Sequence, residues 1–238
     1  MPQYEKIYET DDYLVINKPA GLLTHGAPHI KEETLADQLL ADYPSIKKIG
    51  EDPYRPGIMH RLDKLASGLL VIAKNQVAFD HLKQQFQKRL ITKIYTALVY
   101  GRIKRDEGEI NFPIQRSRKG YKMAALPLTT KGEPTADGRR AITEFIVEKR
   151  YINYTLLKVK IKTGRTHQIR CHLSAYGHPI VGDDLYGTKK TREKNKKLNL
   201  DRLFLVAREL SFKDLSGQTK TFKIDLPPEL KEFLKIIK

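Results

Sequence analysis

The chain has a single cysteine, Cys171. One thiol excludes an internal disulfide and fits a reducing compartment. No apolar run approaches the roughly 20 residues that a bilayer-spanning helix needs. The opening MPQYEKIYETDD lacks the apolar core of a signal peptide, so the cytoplasm is the expected location, and the short lead reads as a natural start. No internal repeat and no low-complexity linker interrupts the 238 residues, and a single domain spanning 1–238 is expected. GRTHQIR lacks the second glycine and the Gly-Lys-Ser/Thr end of a phosphate-binding P-loop, so it is not one.

Acidic residues are also scarce. Asp and Glu number 28 against 44 Lys and Arg, a net charge of +16. The surplus says nothing about fold, but it argues for a polyanionic partner, because binding phosphates releases counterions. An anionic membrane is the competing partner. Membrane-surface proteins concentrate charge on one amphipathic helix or a tail, whereas here the cations are spread along the chain. One dense run stands out, TKKTREKNKKLN at 188–199. Its Lys189, Lys190, Lys194 and Lys196 are candidate phosphate contacts. With no aromatic side chain, the run can touch phosphates but cannot read sequence. The alternative is a solvated loop.

The apolar patterning gives a strand-rich α+β chain. Residues 13–17 read as a strand ended by a Pro-Ala-Gly turn. TLADQLLADYP predicts a helix with Thr34 as N-cap and Pro44 as stop. SGLLVIAK is uniformly apolar and short, hence a buried strand. The segment after it predicts a helix capped by Asn75. KIYTALVYGRI, RAITEFIVEKR and NYTLLKVKIKTG read as strands; in the last, Leu157, Val159 and Ile161 alternate with Lys158, Lys160 and Lys162, the pattern of a half-solvated sheet. GRTHQIRCHLSAYGHP turns helical, with Gly177 where a helix end favours glycine. RLFLVARELSF and TKTFKIDLP are late strands, and PPELKEFLKIIK a closing helix with proline in its first turn. Without regular βαβ alternation, a parallel doubly wound sheet is not expected.

The chemistry centres on HRLDKLASGLLVIAKN, residues 60–75. Asp63 sits between apolar PGIM and SGLLVIAK, so its backbone is expected to be anchored in the core. Such a carboxylate must be paired or its pKa rises. Held ionised by an arginine in a basic groove, it can act as base or nucleophile towards a ribose. A structural salt bridge with Arg61 or Lys64 is the plain alternative. His167, His172 and His178 with Cys171 match no metal-ligand spacing, so no metal is expected. Cys171 reads as a small buried residue rather than a nucleophile.

HRLDKLASGLLVIAKN resembles the signature of the RluA family of RNA pseudouridine synthases. INKPAGLLTH (16–25), RLITKIYTALVYG (89–101) and TGRTHQIRCHLSAYGHPIVGDDLYG (163–187) resemble that family's other motifs, in family order. The resemblance implies an α+β pseudouridine synthase fold, with a largely antiparallel central sheet, flanking helices and an RNA-binding cleft. It implies an isomerase that breaks the N1–C1′ bond of a uridine and rejoins the base through C5, without metal, nucleotide or redox cofactor. By the same resemblance Asp63 is the catalytic aspartate, Tyr95 the tyrosine that packs on the base, and Arg170 the arginine that pairs with the aspartate. Arg61 is then a side chain that enters the RNA as the uridine flips out. Attack of Asp63 at C1′ and proton removal at C2′ both remain open.

Leu65 and Ala66 stand where the family often has an acidic residue and a threonine, and Val206 where it often has a histidine. No N-terminal S4-like domain is evident. HPIVGDDLYG and PGIMHRLDK look closest to ribosomal members, so large-subunit ribosomal RNA is the favoured partner, transfer RNA the second, and a monomer is expected. A non-catalytic RNA-binding or ribosome-assembly factor is the rival of a different class. It would have no need of Asp63, Tyr95 and Arg170 together.

Overall fold

The structure, a computed structural model, describes residues 2–27, 31–117, 120–126, 138–198 and 200–238. Asn199, the last residue of the basic run, lies outside the described residues. In chain order the elements are β1 (Glu5–Glu9), β2 (Tyr13–Lys18), α1 (Leu35–Asp42), β3 (Ser67–Ala73), α2 (Gln76–Gln87), β4 (Thr92–Tyr100), β5 (Glu107–Ile110), β6 (Ile114–Arg116), β7 (Met123–Ala125), β8 (Thr143–Arg150), β9 (Tyr154–Ile161), α3 (Gln168–Ala175), α4 (Lys189–Asn195), β10 (Leu205–Lys213), β11 (Thr219–Lys223) and α5 (Pro228–Ile236). The fold is α+β. The chain divides into two compact units, Met1–Lys93 with Val206–Asp225, and Ile94–Leu205 with Leu226–Lys238.

In the first unit β1, β2 and β3 pair antiparallel, β10 joins β3 in parallel, and β11 returns antiparallel on β10. All seven residues of β3 are buried, as a strand covered on both faces requires. Gly68 holds φ at +124°, and a Cβ there would collide with the backbone of Ala207, its partner on β10. Glycine is what lets these strands approach. Helix α2 starts where the Asn75 side chain accepts from Ala78 N–H at 2.8 Å. It buries Leu82 against Val15, Leu69, Val71 and Phe212, a side chain whose burial contributes about 1.5–3 kcal/mol. Thr34 and Asp37 close a reciprocal capping box on α1, and Pro44 opens a 3-10 turn directly after it.

In the second unit β5, β8, β9 and β4 form an antiparallel run. Leu157, Val159 and Ile161 are buried while Lys158, Lys160 and Lys162 are exposed, which is the period-two reading of the sequence. Phe145 of β8 meets Tyr176, the residue closing α3, at 5.6 Å between centroids, so α3 covers that face. Gly177 follows at φ +90° as the helix-ending glycine. Phe233 of α5 packs on Tyr154 and Phe204. The basic run departs from the loop alternative. Lys189–Asn195 is a helix, because Thr188 caps it and Asn195 is buried.

Candidate active site

The Asp63 segment belongs to the first unit, and the backbone on either side of it is clamped. Leu62 exchanges both backbone groups with one hydroxyl: Thr24 Oγ1 donates to its carbonyl at 2.8 Å and accepts its N–H at 3.2 Å. The carbonyl of Lys64 accepts Gly21 N–H at 2.8 Å and the Lys18 ammonium at 3.3 Å. That ammonium is fully buried and also donates to the carbonyls of Pro19 at 2.8 Å and Leu22 at 2.7 Å. The NKPAGLLT stretch is therefore a brace for the RLDK stretch. Asp63 lies between the clamped residues, partly buried, with its own carbonyl accepting Ala66 N–H at 3.1 Å. The anchored backbone read from the flanking apolar residues is present. The polar clamps Thr24 and Lys18, about forty residues upstream, carry no local signal in the sequence.

His60 starts the segment. Its Nε2 accepts Val71 N–H at 3.0 Å, and its ring packs on Phe86 at 4.5 Å. Burial, reinforced by the charge of Lys93, pulls its pKa down to about 3, so it is a neutral packing group. The Lys93 ammonium stands 5.3 Å from the centre of the same Phe86 ring, and burial lowers its pKa to about 8. Arg61 is exposed and its Nη1 donates to His25 Nε2 at 3.1 Å. Burial depresses the pKa of His25, which fits a neutral ring that accepts from Arg61 and donates from Nδ1 to Gly26 O at 3.0 Å. Lys64 forms an exposed 2.6 Å pair with Glu32.

Tyr95, Arg170 and the lysine run belong to the second unit. Tyr95 is buried on β4 opposite Val159, which also faces Phe145 of β8. The three side chains form one row on the face that α3 covers. Arg170 has a partner that its motif does not announce. Its guanidinium grips Asp183, Nε to Oδ2 at 2.7 Å and Nη2 to Oδ1 at 3.0 Å. Asp183 is fully buried and Arg170 nearly so. A guanidinium carries five N–H groups, and this pair uses two of them. Asp183 therefore fixes the plane of the arginine. The other arginine of GRTHQIR, Arg165, is partly exposed and donates from Nε to Arg140 O at 3.1 Å.

Helix α4 is held by Asn195. Its Oδ1 accepts Tyr100 OH at 2.7 Å and Gly182 N–H at 3.0 Å, and its Nδ2 donates to Asp184 at 2.8 Å. Lys196 pairs with Glu193 at 3.1 Å, and Lys194 lies 5.7 Å from the Tyr100 ring. Among the described residues, Lys189, Lys190, Arg192 and Lys197 have no carboxylate within 4.0 Å.

The histidines near Cys171 have separate partners. His172 is buried between Thr143 Oγ1 at 2.9 Å and Phe112 O at 2.8 Å, and His178 meets Tyr100 O at 2.9 Å. Burial pushes the Cys171 thiol up to about 11, away from a thiolate's range. Among the described residues no group of three or more His, Cys, Asp or Glu is placed to hold a metal ion, and no helix is long and apolar enough to cross a membrane.

The family model described as RNA pseudouridylate synthase matches residues 12–175. The chain is 41% identical over 230 residues to an RNA pseudouridine synthase of Aquifex aeolicus described as uncharacterized, covering 94% of this chain and 70% of that one. It is 36% identical over 240 residues to the ribosomal large subunit pseudouridine synthase D of Neisseria meningitidis, covering 98% of this chain and 60% of that one. Among solved structures, human RNA pseudouridylate synthase domain containing 4 superposes with a TM-score of 0.76 at 23% identity, over 97% of this chain and 91% of that one, a likeness of fold.

Proposed function

The chain belongs to the RNA pseudouridylate synthase family and is an isomerase acting on uridine in RNA, and from that premise we propose that its substrate is large-subunit ribosomal RNA, met in the cytoplasm. The observation that supports this substrate is the likeness to a ribosomal large subunit synthase over nearly the whole chain. The surplus of 16 positive charges fits a structured RNA partner.

Asp63 acts on the ribose of the target uridine. Its carboxylate is carried between two clamped residues, Leu62 and Lys64, so it is preorganised rather than recruited. A detached uracil must turn over without escaping, and Tyr95 supplies the aromatic surface that keeps it. Arg61, exposed and steadied by His25, is the side chain that fills the stack when the uridine leaves it, an exchange costing a few kcal/mol. Arg170 is the arginine of the site, with its orientation set by Asp183.

Chemical mapping of pseudouridine in total RNA, from cells with and without the gene, tests the reading. Loss of one or more large-subunit sites is expected. Loss confined to transfer RNA would establish the second substrate instead, and no loss at all would favour the non-catalytic factor.

A further inference from the structure

Lys93 is the second residue of β4 and belongs to the first unit. Its ammonium stands 5.3 Å from the centre of the Phe86 ring, and the His60 ring lies 4.5 Å from the same centre. His60 opens the HRLDK stretch that carries Asp63. Lys93 therefore shares a packing cluster with the start of that stretch.

Three observations single it out. Among the described residues no carboxylate lies within 4.0 Å of the ammonium, and no acceptor takes any of its three N–H groups. The titratable group across Phe86 gives it no counter-charge either, since His60 is neutral down to about pH 3 and its Nε2 already accepts Val71 N–H. The nitrogen nevertheless meets solvent. Lys93 is partly exposed, and the sealed polar atoms without a partner among the described residues belong to Tyr13, Gln38 and Ser117. Lys18, in the same unit, shows what a structural lysine looks like: three carbonyls accept its ammonium, at 2.7, 2.8 and 3.3 Å. The Phe86 face explains where the Lys93 ammonium sits, but a ring attracts a cation without supplying an oxygen acceptor.

A half-desolvated cation that is open to solvent and has no counter-charge is a place for an anion. In a chain that acts on RNA the abundant anion is the backbone phosphate. We propose that Lys93 binds a backbone phosphate of the RNA beside the stretch that carries Asp63. The proposal rests on the isomerase reading and adds a contact of the first unit to it. A phosphate holds no sequence information, so Lys93 contributes affinity rather than choice of uridine. Burial holds the free ammonium near pKa 8, and a neighbouring anion raises that value. The complex then holds more protons than the free protein above about pH 8, so affinity falls as pH rises through that range.

The test uses the full chain with a hairpin fragment of large-subunit RNA. The Lys93 side-chain carbon signals, identified by their loss in Lys93→Met, should titrate near pH 8 in the free protein and about one unit higher in the complex. Lys93→Met should bind RNA roughly tenfold more weakly at pH 7, the size of one hydrogen bond to a charged group. Its log–log salt slope should be flatter by roughly 0.7 to 0.9. Lys93→Arg, which does not deprotonate, should keep the affinity that wild type loses between about pH 8 and 9.5. Lys88→Gln is the control. It removes a charge at the C-terminal cap of α2, where the helix dipole already accounts for a cation, and should leave the pH dependence of wild type in place. A Lys93 titration unchanged by RNA, or a Lys93→Met variant that binds as tightly as wild type, would overturn the proposal. A hairpin fragment of transfer RNA separates the site from the substrate. Tighter binding of that fragment by wild type and variant alike would overturn the choice of large-subunit RNA, while the difference between the two proteins would still decide Lys93.

Discussion

Arg170 and Asp183 form a two-point ion pair within the second unit, with Asp183 fully buried. Asp183 Oδ1 also accepts the N–H groups of Leu185 and Tyr186, both at 3.0 Å. The carboxylate thus folds the 183–186 turn and ties it to α3. Removing either partner strands a buried charge, which costs about 3–5 kcal/mol. Arg170→Ala and Asp183→Ala should each lose that much in urea unfolding. Arg165→Ala changes a partly exposed arginine of the same motif and should act on turnover more than on stability. A loss below about 1 kcal/mol for Arg170→Ala would refute the structural weight given to the pair.

Asp63→Asn keeps size and removes charge and basicity. Tritium release from C5-labelled RNA should fall below about one-thousandth of wild type, roughly 4 kcal/mol of transition-state stabilisation, with RNA affinity close to wild type. Substantial remaining turnover would displace Asp63 from the chemistry.

His60 gives the fold an acid limit. Its folded pKa, about 3, lies below the roughly 6.5 of an unfolded histidine. Between these values the unfolded state holds more protons, so stability rises with pH and is lost as pH falls from about 6.5 towards 3. Protonation also abolishes the acceptor for Val71 N–H. In His60→Gln the amide oxygen can accept that N–H without titrating. Denaturant titrations across the window should show a shallower acid loss in the variant; parallel curves would remove His60 as the cause.

Lys93 works against stability at neutral pH. Its folded pKa of about 8 is below the roughly 10.4 of a free lysine, so the folded state resists the ammonium. The penalty is present in full below about pH 8 and fades as pH rises to about 10.4. Lys93→Met should therefore stabilise the chain at pH 7, on the order of 1–3 kcal/mol, and much less near pH 10.5. An equal effect at both pH values would trace the change to packing alone.

The legible parts of the sequence are those whose signal is local. Asn75 and the spacing of Phe79 and Leu82 predict α2, and alternation at 157–162 predicts β9. β1 and the short β5, β6 and β7 carry no such signal, because strands of three to five residues owe their form to a partner. The motifs locate Asp63 and Tyr95 in the chain. They do not reveal that Arg170 is matched to Asp183 thirteen residues on, or that His167 is left-handed, since both depend on how a turn closes back on α3.

The basic run is helical for a reason invisible in its composition. Seven residues polar all round do not make a stable helix alone; Asn195 holds α4 by three hydrogen bonds. The anchor also sorts its cations. Lys196 is matched to Glu193 and Lys194 lies near Tyr100, whereas Lys189, Lys190, Arg192 and Lys197 meet no carboxylate among the described residues. A cation left unneutralised on a fixed helix is available to phosphate. Replacing Lys189, Lys190, Arg192 and Lys197 by Gln should weaken target and non-target RNA alike. The log–log salt slope should flatten by roughly 0.7 to 0.9 for each phosphate no longer neutralised, with turnover at saturating RNA unchanged. Lys194→Gln and Lys196→Gln should move the slope less, since a neighbouring group already holds each charge. RNA titrations at several salt concentrations measure this directly. Equal slopes for wild type and the four-site variant would mean that α4 does not touch RNA.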